Sequence, residues 1–161
     1  MNALLITNDT ADAEAIEKHL RECDMRFAPP LSSRVFLPDY AQKLSTLADR
    51  FEAWESDRLI GLVAAYLSHS NTLEGFISSV SICGDFEGRG IASRLMKDCC
   101  DAALENGLPS LVLEVAQNDQ HACGFYRKHG FQPIERGKSG FLKMSLQLKK
   151  HEHEPRFQQG V

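Results

Sequence analysis

A strand-to-helix junction near the middle of the chain reads ICGDFEGRGIA, from Ile82 to Ala92. Such a junction presents unpaired backbone N–H groups and the positive end of the helix dipole. Gly88 and Gly90 let an anion approach the backbone, because neither residue carries a Cβ. The segment therefore predicts a phosphate site, with a plain βα loop as the alternative. It lacks both the Gly-Lys-Ser/Thr ending of a P-loop and the spacing of a dinucleotide fingerprint.

Hydrophobic periodicity places helices and strands on both sides of this junction. Upstream, the pattern predicts a strand at 4–6, a helix over about 11–22, a helix beginning at Pro38, and antiparallel strands at 51–55, 59–68 and 75–82. The first helix would be capped by Asn8, Asp9 or Thr10. Its core face would contain Ala13, Ile16, Leu20 and Cys23. Downstream, it predicts a helix from 91 to about 106, a strand at 111–115, a helix at 119–129 and strands at 131–134 and 141–148. We expect an α/β (α+β) fold with a mixed, mostly antiparallel central sheet of about six to seven strands and flanking helices.

Composition narrows the classes of function. The chain has 161 residues and a formal net charge of −4, which gives no support to nucleic-acid binding. We expect one domain over residues 1–148 and a polar tail over 149–161. No signal peptide is evident, and the longest apolar run, 59–66, is too short to cross a bilayer. The five cysteines have neither framework nor zinc spacing, so we expect free thiols, no metal and a cytoplasmic location.

A second block, LEVAQNDQHACGFYRKHGF, covers residues 113–131. Together with the junction it resembles the GCN5-related N-acetyltransferase (GNAT) superfamily. The cofactor loop of that family has the form Gln/Arg-x-x-Gly-x-Gly/Ala, which is Glu87-x-x-Gly90-x-Ala92 here. Its second block has the form Asn-x-x-Ala-x-x-(Leu/Phe)-Tyr-x-x-x-Gly-Phe, which residues 119–131 match. The resemblance covers roughly residues 51–148.

This resemblance implies a GNAT-like fold and acetyl-CoA as the acetyl donor. The backbone amides of about 88–92 would hold the pyrophosphate, and the pantetheine arm would pair with residues 80–82 where their strand splays from 111–115. The thioester carbonyl would accept a backbone N–H near Ile82, which would stabilise the oxyanion formed on attack. The implied cofactor-binding residues are Val80, Ser81, Ile82, Glu87, Gly88, Arg89, Gly90, Ile91, Ala92, Asn118, Asp119 and Tyr126.

Two residues depart from the family pattern. Glu87 stands where the family has Gln or Arg, and its carboxylate would repel a pyrophosphate unless it turns to solvent; Arg89 could offset its charge. Asp119 stands at the usual Asn position, one residue after Asn118. In register, Asp119 would contact the pantetheine arm, and Asn118 would do so only with a local shift.

The same resemblance, combined with side-chain chemistry, proposes catalytic groups. Glu114 is the first choice as general base, because it lies in an apolar strand where burial would raise its pKa; pairing or capping is the structural alternative, and Glu74 and His69 are reserves. Tyr126 is the candidate general acid for the departing thiolate, with a buried aromatic role as its alternative. A covalent route through Cys123 lacks an obvious base.

The acceptor is less defined. The loop from Met25 to Leu37 should cover its pocket, where Arg26 and Arg34 would either select an anionic acceptor or only aid solubility. We expect direct attack by the primary amine of a small molecule, with an amino sugar as one candidate. The alternatives are acetylation of a protein N-terminus, of the ribosomal-protein type, and a non-catalytic acyl-CoA-binding sensor domain. Sheet edges in this fold often pair between subunits, so the fold is compatible with a homodimer.

Overall fold

The computed structural model describes residues 3–68, 73–137 and 140–149. The reserve base His69 and residues 150–161 of the expected tail lie outside these ranges. Within them, the strands are β1 (Leu4–Asn8), β2 (Asp49–Glu55), β3 (Arg58–Tyr66), β4 (Glu74–Ile82), β5 (Ser110–Ala116), β6 (Gln132–Arg136) and β7 (Phe141–Gln147). The α-helices are α1 (Ala13–Cys23), α2 (Leu37–Leu47), α3 (Ile91–Glu105) and α4 (Gln120–Lys128).

These strands form one seven-stranded sheet in the order β1-β2-β3-β4-β5-β7-β6. Every neighbouring pair is antiparallel except β4 and β5, which are parallel. The parallel pair arises because α3 forms a crossover between β4 and β5. The expected mixed, mostly antiparallel sheet with flanking helices is confirmed.

The pairing between β4 and β5 is short. Their register runs only from Glu74 opposite Ser110 to Phe76 opposite Val112. Beyond Phe76, β4 keeps its ladder with β3, and β5 keeps its ladder with β7. The two strands therefore separate toward their carboxyl ends and leave a cleft between them, the β4–β5 cleft.

Two hydrophobic clusters cover the two faces of the sheet. One packs α3 on the sheet and contains Leu95, Met96, Leu111, Leu113 and Phe131. The other packs α1 and α2 on the opposite face and contains Ile16, Leu20, Ala41, Leu44 and Leu62. The β4–β5 cleft interrupts the sheet between these two layers.

The first helix starts later than the sequence suggests. Its N-cap is Asp12, whose carboxylate accepts a hydrogen bond from the Ala15 amide at 2.9 Å, so the predicted caps at 8–10 are wrong. Asp9 instead binds the backbone amide of Arg50 at 2.7 Å. The buried face of α1 includes His19 as well as the predicted Ile16, Leu20 and Cys23.

Glu52 joins β2 to the start of α1. Its fully buried carboxylate accepts hydrogen bonds from Thr7 Oγ1, Thr10 Oγ1 and the amides of Thr10 and Ala11, at 2.6–3.0 Å. Burial opposes ionisation, but these hydrogen bonds outweigh it and hold the pKa of Glu52 below its usual range. The group anchors the first helix to the sheet.

In the part of the chain that the structure describes, no helix has the length and apolarity needed to cross a bilayer.

Candidate active site

The predicted phosphate loop lies where β4 ends and α3 begins. A short turn at Gly84–Phe86 leads to Gly88 and Gly90, whose φ angles of +79° and +80° are left-handed. An added Cβ would meet nothing within 4 Å at either glycine, so open space adjoins the backbone. Gly90 is the N-cap of α3, and among the described residues no side chain caps this helix end. Its first amides are therefore available to an anion.

Glu87 has an ion-pair partner that the sequence did not indicate. Its carboxylate contacts the guanidinium of Arg26, which comes from the loop after α1. Arg26 Nη1 also lies 2.8 Å from the position a Cβ would take at Gly84, so the guanidinium packs closely against the glycine backbone. Arg89, the expected counter-charge, instead donates to the Asp85 carbonyl and lies over the Phe86 ring.

Among the residues that the structure describes, the edge of β4 that faces the cleft has no strand partner beyond Phe76. Val80 and Ile82 are half-buried and pack against the α3-side cluster. Ser81 is buried, and its hydroxyl lies 2.8 Å from His19 Nε2. Any ligand contact made by Ser81 would therefore use its backbone.

A β-bulge interrupts β4 beside the cleft. Ala64 on β3 lies opposite Ser79 and Ala65 lies opposite Ile77, so Ser78 is left out of the ladder. The Tyr40 hydroxyl, from α2, lies 2.5 Å from Ser78 Oγ and donates to the Ser78 carbonyl at 3.2 Å. Bulges next to functional sites re-aim the backbone. Tyr40 thus fixes an irregular stretch of backbone at the wall of the cleft, a feature without a local sequence signal.

Glu114 lies on the opposite wall, and its predicted burial is wrong. The side chain is exposed, while the neighbouring Leu113 and Val115 are buried. Phe76 is the last residue of β4 that pairs with β5, and its partner is Val112. Ser78 and Glu114 each lie two residues further along their strands, so they are at about the same level across the cleft. Among the described residues, Glu114 has no ion-pair or hydrogen-bond partner. The structural alternative, in which Glu114 pairs or caps, is therefore not seen in these ranges.

Tyr126 lies on α4 and packs edge-on against Phe125 and Phe131. Burial raises its pKa, and the charges of Asp119 and Cys123 raise it further. The hydroxyl makes no hydrogen bond to another described residue. Its surroundings therefore favour the neutral phenol over the phenolate.

Asp119 has a structural role. It is the N-cap of α4, and its Oδ1 accepts a hydrogen bond from the Ala122 amide at 3.1 Å. One carboxylate oxygen is therefore engaged within the protein. Asn118, one residue earlier, is exposed.

The loop over residues 24–36 crosses the mouth of the cleft. Arg26 ties it to Glu87 on the β4 side, and Arg34 lies 5.1 Å from the centre of the Phe141 ring, at the start of β7. Phe141 in turn lies opposite Ala116, the last residue of β5. The predicted acceptor loop thus contacts the segment that follows β4 and the start of β7, and both arginines have partners.

The remaining candidates lie less favourably. Glu74 stands where β4 and β5 are still paired, at the closed end of the cleft. Cys123 is buried, donates to the Ala116 carbonyl and lines a separate surface hollow of about 530 Å³ beside α4.

Ligand atoms of His19, Cys23 and Cys83 lie within 4.8 Å of one another. Both His19 ring nitrogens already have oxygen partners, Leu59 O and Ser81 Oγ, so we assign no metal there.

Comparison with known proteins matches this chain to the model of a family. The model of the acetyltransferase (GNAT) family matches residues 13–131. N-alpha-acetyltransferase 30 of Schizosaccharomyces pombe is 32% identical over 83 residues, which are 50% of this chain and 55% of that protein. Mycothiol acetyltransferase of Jonesia denitrificans is 29% identical over 102 residues, 63% of this chain and 30% of that protein. The aligned segments thus span about half or less of these relatives.

Solved structures share the whole architecture. The ribosomal-protein-S18-alanine N-acetyltransferase from Escherichia coli superposes with a TM-score of 0.71 at 15% identity. The match covers 94% of this chain and 97% of that one. At this identity the likeness establishes the fold alone.

Proposed function

Since this chain belongs to the acetyltransferase (GNAT) family, we propose that it transfers the acetyl group of acetyl-CoA to a primary amine. The observation that carries the proposal is the β4–β5 cleft. It has an open phosphate loop at one end, with Ser78 on its β4 wall and the exposed Glu114 on its β5 wall.

The donor site fits acetyl-CoA in shape and chemistry. The first amides of α3 and the two left-handed glycines would hold the pyrophosphate. The pantetheine amides would pair with the free edge of β4, as in strand addition. The arm then runs along 80–82 toward the bulge, so its thioester end reaches the neighbourhood of Ser78. The irregular backbone there would donate an N–H to the developing oxyanion, four residues before the predicted Ile82.

The reaction is a direct displacement. Glu114, directly or through a water, removes a proton from the acceptor ammonium, and the free amine attacks the thioester carbonyl. Collapse of the tetrahedral intermediate breaks the C–S bond, and Tyr126 donates its proton to the CoA sulfur. The attacking nitrogen loses its second proton as the amide forms, and this proton returns the tyrosinate to the phenol. The raised pKa of Tyr126 keeps the phenol protonated before the thiolate departs.

For the acceptor, we favour the α-amine of a polypeptide N-terminus over the small amine expected from the sequence. An α-amine has a pKa of ~7.7–8.0, against ~10.4 for a lysine-like amine. Glu114 is exposed and has no side-chain partner among the described residues. Such a carboxylate removes a proton more readily from an amine of lower pKa. The 32% identical relative is named as an N-alpha-acetyltransferase, whereas mycothiol acetyltransferase represents the small-molecule class.

An acceptor screen separates these classes. Free CoA thiol is measured after incubation with acetyl-CoA and either short peptides with free N-termini or a panel of amino sugars and polyamines. Peptide acetylation, blocked when the N-terminus is capped, is the expected result. Turnover of the small amines alone would overturn the peptide assignment. Acetyl-CoA binding without turnover of any amine would support the sensor alternative.

Glu114→Gln tests the base. Glu114→Gln should lower kcat/KM tenfold or more near neutral pH with the Kd of acetyl-CoA little changed, and the loss should shrink at high pH, where the acceptor amine is already deprotonated. Identical pH profiles of kcat/KM would remove Glu114 from the mechanism.

A further inference from the structure

Two cysteines that have no part in the proposed reaction meet where α1 ends and the phosphate loop begins. Cys23 ends α1, and Cys83 directly follows β4. They are 0% and 2% exposed, and their sulfurs lie within 4.8 Å of each other. Far apart in sequence, they are brought together by the packing of α1 against the sheet.

The two thiols differ in character. Their interaction at this short distance raises the pKa of Cys23 and lowers that of Cys83. His19 also lowers the pKa of Cys83, and its Nδ1 lies 3.7 Å from Cys83 Sγ. Cys23 Sγ lies 3.7 Å from His19 Nε2. The pair thus places a thiol that ionises more readily beside one that ionises less readily, the arrangement that favours disulfide chemistry.

We propose that Cys23 and Cys83 form a redox-active dithiol that peroxide closes to a disulfide. The Cys83 thiolate attacks one peroxide oxygen and gains a sulfenic acid, while the O–O bond breaks and the other oxygen leaves as water after protonation. The Cys23 sulfur then attacks the Cys83 sulfur, the S–O bond breaks, and a second water leaves with the Cys23 proton. Two thiols and one hydrogen peroxide give one disulfide and two waters.

The bond would connect the two segments that form the phosphate site. Cys23 directly precedes the turn that carries Arg26, and the Cys83 carbonyl accepts the Phe86 amide in the turn before Gly88. Drawing the two sulfurs to a bonded distance of ~2.05 Å shifts the base of the loop toward α1. The effect on acetyl-CoA rests on the proposed function; the disulfide itself does not.

Thiol mapping of the folded protein tests the proposal directly. Purified protein is treated with graded hydrogen peroxide, alkylated, unfolded and digested. Of the five thiols, two should disappear together, and the product should be a peptide pair linking Cys23 to Cys83, reopened by dithiothreitol. Cys100 is the internal control, because it is more exposed, while burial raises its pKa to about 11. Oxidation of Cys100 before the pair, or sulfinic acid at Cys83 without a crosslink, would overturn the proposal.

Variants test whether the disulfide changes the affinity for acetyl-CoA. Cys23→Ser should abolish the crosslink, and Cys100→Ser should leave it unchanged. Acetyl-CoA affinity of the oxidised wild type should fall at least threefold and return on reduction, while Cys23→Ser should show no such reversible change. Equal affinity of both redox forms would overturn the coupling. A reduced protein that does not bind acetyl-CoA would instead fail the proposed function, with the crosslink result still standing.

Discussion

Tyr126 is the residue on which the proposed proton donation depends. Its hydroxyl has no hydrogen-bond partner among the described residues, and its raised pKa means that the proton is present when the thiolate departs. Tyr126→Phe should lower kcat tenfold or more, a loss typical of one acid–base group, with the Kd of acetyl-CoA little changed. Steady-state kinetics and calorimetry on the same preparation check this. Unchanged kcat would remove Tyr126 from the mechanism.

Arg26 is the residue that makes Glu87 tolerable at an anion site. The pair is partly exposed, at 43% and 42%, so solvent weakens it. Arg26→Ala leaves the Glu87 carboxylate uncompensated and should weaken acetyl-CoA binding about threefold to tenfold, roughly 1 kcal/mol. Adding Glu87→Gln should restore most of the loss.

Arg21→Ala is the matched control, since Arg21 pairs with Glu17 within α1. It should leave the acetyl-CoA Kd unchanged. If Arg26→Ala and Arg21→Ala bind acetyl-CoA equally well, Arg26 has no part in the site.

At the level of elements, α3 provides a comparison within one helix. Gly90 at its N-terminus and Gly107 beyond its C-terminus have φ angles of +80° and +77°, with open space around each. Alanine in this conformation costs ~1–2 kcal/mol at either position. Gly90→Ala and Gly107→Ala should therefore lower thermal stability similarly, but only Gly90→Ala should weaken acetyl-CoA binding. Similar losses of affinity in both variants would place the phosphate elsewhere.

The elements were largely predictable, because glycine spacing and hydrophobic periodicity are local signals. The exposure of Glu114 was not predictable. Strand alternation puts Glu114 on the same face as the buried Val112, but the packing that covers this face ends before the cleft opens. The contact of Arg26 with Glu87 and the Tyr40–Ser78 bulge join distant segments. No local pattern encodes them. His19 was missed because a histidine breaks an apolar stripe, although its ring is satisfied by Leu59 O and Ser81 Oγ.

For the whole molecule, Glu52 makes stability depend on pH. Its folded-state pKa is held below the ordinary value of ~4.3. The ionised form therefore contributes stability above about pH 4.5, and this contribution is lost as the pH falls through the folded pKa. Glu52→Gln should cost about 1–3 kcal/mol at pH 7, and the difference from wild type should shrink below pH ~4. Urea unfolding at both pH values measures it; a pH-independent difference would contradict the ionic role.

The boundary at residue 148, the cytoplasmic location and the homodimer stay predictions. In the described sheet, β1 and β6 are the edge strands. They are the surfaces to which a sheet-pairing dimer would add.

The central claim is that the β4–β5 cleft binds acetyl-CoA through the phosphate loop. Calorimetric titration of wild type and Gly90→Asp with acetyl-CoA, beside 3′-dephospho-CoA, tests it most directly, with circular dichroism to establish that the variant is folded. We predict saturable micromolar binding of one acetyl-CoA per chain for wild type. We predict no binding for Gly90→Asp, because the added carboxylate occupies the place proposed for the pyrophosphate. No binding by wild type, or equal binding by a folded Gly90→Asp, would contradict the account.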